Sequence, residues 1–229
     1  MFRLTRAGAT AVPDAAEIAR LRGVFEREHC VLLPGLFDPD LVRRILPRVE
    51  RGPFETFLHE EHDGDVTFRI KTELCLQDPA TVSLLNLVPN DPRFFGVVEA
   101  ITGCGHIGCF HGRVYRMLPG GDHHDSWHDD VFEHRLVSMS VNLSPERFQG
   151  GALRIREGRT GRVLHEVANT GLGDAILFRI APGLEHRVAD VEGTVPKTAY
   201  AGWFESEPDF SAWVRQRART QTPSGSGPC

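Results

Sequence analysis

Over residues 105–204 the chain repeats one pattern. Short alternating or fully apolar runs (HIGCFHGRVYRML, HRLVSMSVNLS, GALRIRE, DAILFRI and TAYAGWF) are separated by Gly, Pro and Asn turns. Period-two apolar spacing makes half-buried strands, and many short strands in series close into a sandwich or barrel. The segment ahead of it reads differently. Residues 14–28 carry helical apolar spacing, CVLLPGLF reads as a buried strand, and DPDLVRRILPRVE, DPATVSLLNLV and DPRFFGVVEAITG each pair Asp with Pro at a helix start. VTFRIKTEL, between the helical groups, alternates as a strand. The expected fold is α+β and mainly β: a jelly roll buttressed by N-terminal helices. At 229 residues with 41% hydrophobic content, one domain over residues 1–220 is expected, with support in 1–104 and the core in 105–205. The Ser, Gly and Pro of residues 221–229 read as a flexible tail.

A net charge of -5 and a pI near 6.1 supply no basic footprint for nucleic acid or an anionic membrane, so a small-molecule or peptide substrate is the expected partner. No run approaches the roughly 18 to 20 apolar residues of a membrane span, and the N-terminus lacks a signal-peptide core. Five cysteines without a CxxC pair suggest reduced thiols and a cytoplasmic protein. Composition leaves the oligomeric state open.

The segment HHDSWHDDV, residues 123–131, holds the densest chemistry. In an extended stretch His128 and Asp130 would share a face, presenting one imidazole and one carboxylate to the same point. His186, 58 residues later in APGLEHRVADV, is the best third ligand, and several strands can return it to the same end of a barrel. Two His and one carboxylate suit Fe(II), because the face they form leaves positions open. His123 and Asp125 form a competing HxD pair, but they follow a Pro-Gly-Gly turn where polar loop residues are expected. Trp127 and Val131 flank His128 as in a strand entering the core, and metal ligands belong on rigid elements. Asp129 would then point away. Among eleven histidines an HxD alone is weak, since chance supplies it.

Six landmarks in order strengthen it: RMLPGG, WHDD, LVSMSVNLS, GGALRIR, EHRV followed by Lys197, and GWF. Over residues 116–204 this series resembles the catalytic half of the 2-oxoglutarate/Fe(II)-dependent dioxygenases, particularly their prolyl-hydroxylase-like branch. The resemblance implies a jelly roll of the double-stranded β-helix, cupin-like kind, and an oxygenase that uses Fe(II), 2-oxoglutarate and O2, releases succinate and CO2, and hydroxylates a C–H bond of a small molecule, amino acid or peptide. His128, Asp130 and His186 would be its catalytic metal ligands. Lys197 would pair the distal carboxylate of 2-oxoglutarate, with Arg187 as rival anchor. Asn142 and Ser140, ahead of Ser138, would line the co-substrate pocket. Tyr115 would touch the co-substrate unless Met117 takes its place, and Leu153 would form an apolar wall. Gly150 and Gly151 permit close backbone approach at a strand start. Trp203 reads as core and Asp174 as a turn residue. Arg69 and Lys71 alternate onto one face of VTFRIKTEL and are candidates for a substrate carboxylate, or solvated charges. The presence of Asp130 argues against the halogenase branch, which lacks that carboxylate. Two other readings stay open: a non-catalytic metal- or ligand-binding jelly-roll module, and a cupin-type metalloenzyme that does not use 2-oxoglutarate.

Overall fold

Each helix of the first half starts on an aspartate whose carboxylate takes up backbone N–H groups left free at a helix start. Asp14 caps α1 (Ala15–Glu28), Asp38 caps α2 (Pro39–Arg51), Asp78 caps α3 (Pro79–Leu87) and Asp91 caps α4 (Pro92–Thr102). The three Asp-Pro pairs put proline at the first helical position, where its missing N–H leaves no bond unmade. This computed structural model describes residues 2–10, 12–63, 66–120, 123–168 and 171–209, without the side chains of 60–63, 66–70 and 124. The expected tail and the boundary at residue 220 lie outside the described residues.

Fifteen strands are described. β1 (Leu4–Thr5) and β2 (Gly8–Ala9) form a small hairpin, β3 (Cys30–Leu33) follows α1, and β4 (Phe54–Asp63) with β5 (Val66–Leu76) forms a long hairpin after α2. Beyond α4 come β6 (Cys109–Met117), β7 (His124–Asp125), β8 (Arg135–Asn142), β9 (Gln149–Gly150), β10 (Leu153–Glu157) and β11 (Val163–Val167). β12 (Ala175–Arg179), β13 (Leu184–Val188), β14 (Val191–Glu192) and β15 (Lys197–Glu205) complete the series.

The large sheet runs β3-β12-β8-β15-β6-β5-β4, with β7 also paired to β5, and its neighbours are antiparallel. A small antiparallel sheet, β11-β10-β13, gains a further bridge between His128 and His186. Period-two alternation assigns the faces of the large sheet. Val137, Met139 and Val141 of β8 join Phe25, Val49, Phe94 and Ile101 of the helices in the main core. On the other side, Leu153 and Ile155 of β10 pack on Cys30, Ile176 and Phe178, closing the two sheets over an apolar layer. This is the helix-buttressed jelly roll that the sequence pattern implies. Cys30, Cys75 and Cys109 are buried free thiols, and burial pushes Cys30 up to about 12.

Besides the two-residue strands β1, β2, β7, β9 and β14, three longer strands escaped the sequence pattern. β4 ends in HEEHD, and such charge is how an edge strand is kept from pairing further, so it lacks an apolar signature. β11 and β13 are only five residues long and carry charges on their outward sides.

Candidate active site

Two backbone hydrogen bonds build the centre of the site. His186 N donates to His128 O at 2.8 Å and His128 N to His186 O at 3.2 Å, so the residues stand directly opposite each other with ring centroids 4.4 Å apart. His186 is held from its other side by Ile155 of β10. Asp130 arrives by a different route from the expected strand alternation. The chain turns after Asp129, whose Oδ1 accepts from Val131 N, and Asp130 takes a left-handed φ of 57°. Val131 is consequently exposed (46%) and flanks no core strand. The turn brings Asp130 Oδ1 to 3.7 Å from His128 Nε2 and Oδ2 to 3.3 Å from His186 Nε2, and ligand atoms of the three residues lie within 4.8 Å of one another.

Protonation suits a cation. The Ser126 carbonyl can only accept, so at 2.7 Å it takes the Nδ1 proton of His128 and turns Nε2 toward the other two residues. Burial lowers the His186 pKa, only partly offset by Asp130, and favours its neutral form. Burial would raise Asp130, but the hydrogen bond and charge of His186, the charge of His128 and the Trp203 N–H together hold it well below the usual carboxylate range. Two imidazoles and a carboxylate held ionised, converging on one point, fit a divalent metal with open positions. Trp203, expected in the core, instead donates Nε1–H to Asp130 Oδ2 at 2.9 Å. The guanidinium of Arg135 lies 3.7 Å from the Trp203 ring centroid, with Nη1 3.4 Å from Asp130 Oδ1.

The triad lines a cavity of about 560 Å³ between the sheets, to which Lys197, Tyr115, Ser140, Ser138, Leu153 and Lys71 also contribute. Lys197 is buried and donates from Nζ to Gly151 O at 2.7 Å, and burial pushes its pKa down to about 8. Gly151 has φ 62°, and a Cβ there would sit 2.9 Å from Lys197 Cδ, so glycine makes room for the lysine. Tyr115 lies between two ammonium groups, Lys71 at 5.6 Å and Lys197 at 6.0 Å from its ring, and its hydroxyl bonds Ser140. Met117 is buried beside Tyr115 but is not among the lining residues.

Some expectations are corrected. Asn142 lies outside the cavity lining because the strand ends there: its Oδ1 accepts from Ser144 N and its Nδ2 donates to Gly171 O. Arg187, pointing opposite to His186 on β13, lies over Trp127 and is not in the lining either. Asp174 behaves as the expected turn residue, accepting from Gly35 N. The Arg69 side chain is outside the described residues. Lys71 is not a solvated charge: it lies 3.4 Å from Asp125 Oδ1 and 3.5 Å from Glu73 Oε2.

Asp125 and Glu73 were missed as site residues. Asp125 belongs to β7, accepts from Val188 N at 2.6 Å and is buried. Glu73, fully buried, receives Arg113 at 2.7 Å. For Glu73 the sequence signal was its alternation with Lys71; for Asp125 it was the HxD pair with His123, set aside as a polar loop although Asp125 is buried in β7.

Residues 112–205 match the sequence model of the 2OG-Fe(II) oxygenase superfamily. Over that stretch the chain is similar to the 2OG-Fe(II) oxygenases. No curated protein sequence matches it significantly. Among solved structures the fold is similar to an oxidoreductase of the 2OG-Fe(II) oxygenase family from Burkholderia pseudomallei (19% identity, 90% of this chain and 96% of that one, TM-score 0.61). It is also similar to a Pseudomonas putida prolyl-4-hydroxylase (19%, 82% and 98%, 0.58) and to the alpha-ketoglutarate-dependent epimerase SnoN from nogalamycin biosynthesis (14%, 94% and 94%, 0.58). The 2OG-Fe(II) oxygenases are enzymes that use Fe(II), 2-oxoglutarate and O2, and the donor set of His128, Asp130 and His186 suits that metal. Among its described residues no helix is long and apolar enough to cross a membrane.

Proposed function

We propose that the chain is a 2-oxoglutarate-dependent hydroxylase of a small molecule or peptide-like substrate, with His128, Asp130 and His186 as iron ligands and Lys197 as the anchor of the co-substrate. The observation that carries this reading is the convergence of His128 Nε2, Asp130 and His186 in a cavity that also holds a buried lysine. When bound, the iron supplies the redox chemistry that couples decarboxylation of 2-oxoglutarate to succinate with transfer of an oxygen atom from O2 to a substrate C–H bond.

The protein's part is placement. Ser126 O sets the tautomer of His128, and Trp203 steadies Asp130 through Oδ2. The protonated Lys197 ammonium offsets the desolvation of the co-substrate's distal carboxylate. As a point charge it leaves orientation to neighbours, and the Tyr115–Ser140 hydroxyl pair lies in the same lining. Leu153, Ile176 and Phe178 exclude water from that end. The cavity falls within the ordinary range of ligand sites, about 300 to 1,000 Å³, so a compact reacting group can share it with the co-substrate. The free buried thiols fit a reducing compartment, and the cytoplasm is the proposed location.

The test is anaerobic titration of 2-oxoglutarate into protein loaded with Fe(II). A visible charge-transfer band in the wild type, absent from a His128→Ala, Asp130→Ala double variant, is the expected result. A folded wild-type protein that binds iron without the band would favour the cupin-type reading.

A further inference from the structure

The cavity has four cations in its lining, and three of them are engaged. Arg113 places both Nε and Nη2 on Glu73 Oε1, at 2.8 and 2.7 Å. Lys71 stands between Glu73 and Asp125, and Lys197 is the proposed co-substrate anchor. Arg135 is different. Its Nη1 reaches only Asp130, at 3.4 Å from Oδ1 and 3.5 Å from the backbone oxygen, and its buried Nε has no partner. Asp130 already accepts from Trp203 and faces both histidines. Among the described residues no other carboxylate lies within ion-pair distance of Arg135. Contact with the Trp203 ring, 3.7 Å away, uses the face of the guanidinium, and its fork of N–H donors, only one of which reaches Asp130, matches a carboxylate.

The same end of the cavity exposes apolar surface. Phe132 (68% exposed) and Phe57 (43% exposed) come from separate segments, and both line the cavity along with Val131. The Phe132 ring is 5.5 Å from the Arg135 guanidinium. Large apolar groups gathered at a cavity are unfavourable in water and mark a surface that an apolar ligand covers.

We infer that the open end of the cavity binds a ring-bearing carboxylate, with Arg135 taking the carboxylate and Phe132 and Phe57 covering the ring. The inference rests on the hydroxylase reading for its consequence: because Arg135 touches the metal-site carboxylate, the carbon oxidised lies only a few bonds from the substrate carboxylate. Arg135 is the specificity-determining residue of this arrangement.

The probes are phenylacetate and cinnamate, each against its methyl ester. Binding is followed by tryptophan fluorescence of the metal-free protein, where Trp203 lies under Arg135, and by the iron/2-oxoglutarate band at saturating co-substrate. The acids should bind at least about tenfold more tightly than the esters, as expected for a charge-assisted hydrogen-bonded pair. Arg135→Gln should bring each acid to the level of its ester. Phe132→Ala, at a position exposed enough to leave the fold intact, should weaken acids and esters by a similar factor. Esters that match the acids, an acid preference that survives Arg135→Gln, failure of both probe types to bind, or acids that act by erasing the band would each overturn the inference. Were Arg135 only a support for Asp130, Arg135→Gln would weaken acid and ester alike. A missing band with the acid preference intact would count against the hydroxylase reading and leave this site standing.

Discussion

Raising the pH from 7 to 9 should weaken 2-oxoglutarate binding about tenfold, through one residue. Burial places the Lys197 pKa at about 8; attraction from Asp125 and Glu73 partly opposes that drop and repulsion from Lys71 adds to it. Only the ammonium form can pair the co-substrate carboxylate. The free protein passes from about nine-tenths charged at pH 7 to about one-tenth at pH 9, which is about 1.4 kcal/mol of lost binding. Neighbouring groups leave this window clear: Tyr115 is pushed up to about 12 by burial, and Lys71 is raised because Asp125 and Glu73 outweigh its burial. The assay is anaerobic titration of the charge-transfer band across that range. Lys197→Arg, charged throughout, should bind with a flat profile. A flat wild-type profile, or the same slope in Lys197→Arg, would refute the reasoning. The same displacement acts on folding with opposite sign. The unfolded chain holds this proton up to about pH 10.4, so stability should rise between about pH 8 and that value, and Lys197→Met should remove the rise.

Three further outcomes are expected. Asp125→Asn leaves Lys71 buried with one charge partner fewer, and should lower the unfolding free energy by about 3 kcal/mol in urea titrations. Trp203→Phe removes the donor to Asp130 Oδ2 and should weaken Mn(II) or Co(II) binding about 10- to 100-fold, read by metal titration. Gly151→Ala drives a methyl group toward Lys197 at a left-handed φ, and should weaken 2-oxoglutarate binding while metal titration stays as in the wild type.

The helices were legible because their signals are local: an aspartate cap and a following proline act within one turn. That His128, Asp130 and His186 come together was also legible, but the geometry behind it was not. Strand alternation would have put His128 and Asp130 on one face, whereas a turn stabilised by Asp129 does so. Asn142 shows the converse failure: alternation put it on the cavity face, and the strand ended beneath it. Glu73, and the buried pairing of Asp125 with Lys71, were hidden for an energetic reason. A carboxylate is rarely buried unless paired, and their partners come from other strands or from a same-face neighbour whose direction the sequence leaves open. Trp203 was read by its apolar body, while its single N–H determines its place at the site.

The left-handed backbone at Asp130 bears on how this domain can change over generations. That conformation disfavours most side chains by about 1 kcal/mol or more, and glycine adopts it freely. Replacing the carboxylate by glycine therefore meets little backbone resistance, and the bridge that fixes His128 against His186 does not depend on it. A lineage could vacate one ligand position on the metal without first gaining a compensating mutation. Loss at either histidine would instead remove a ring packed against its partner.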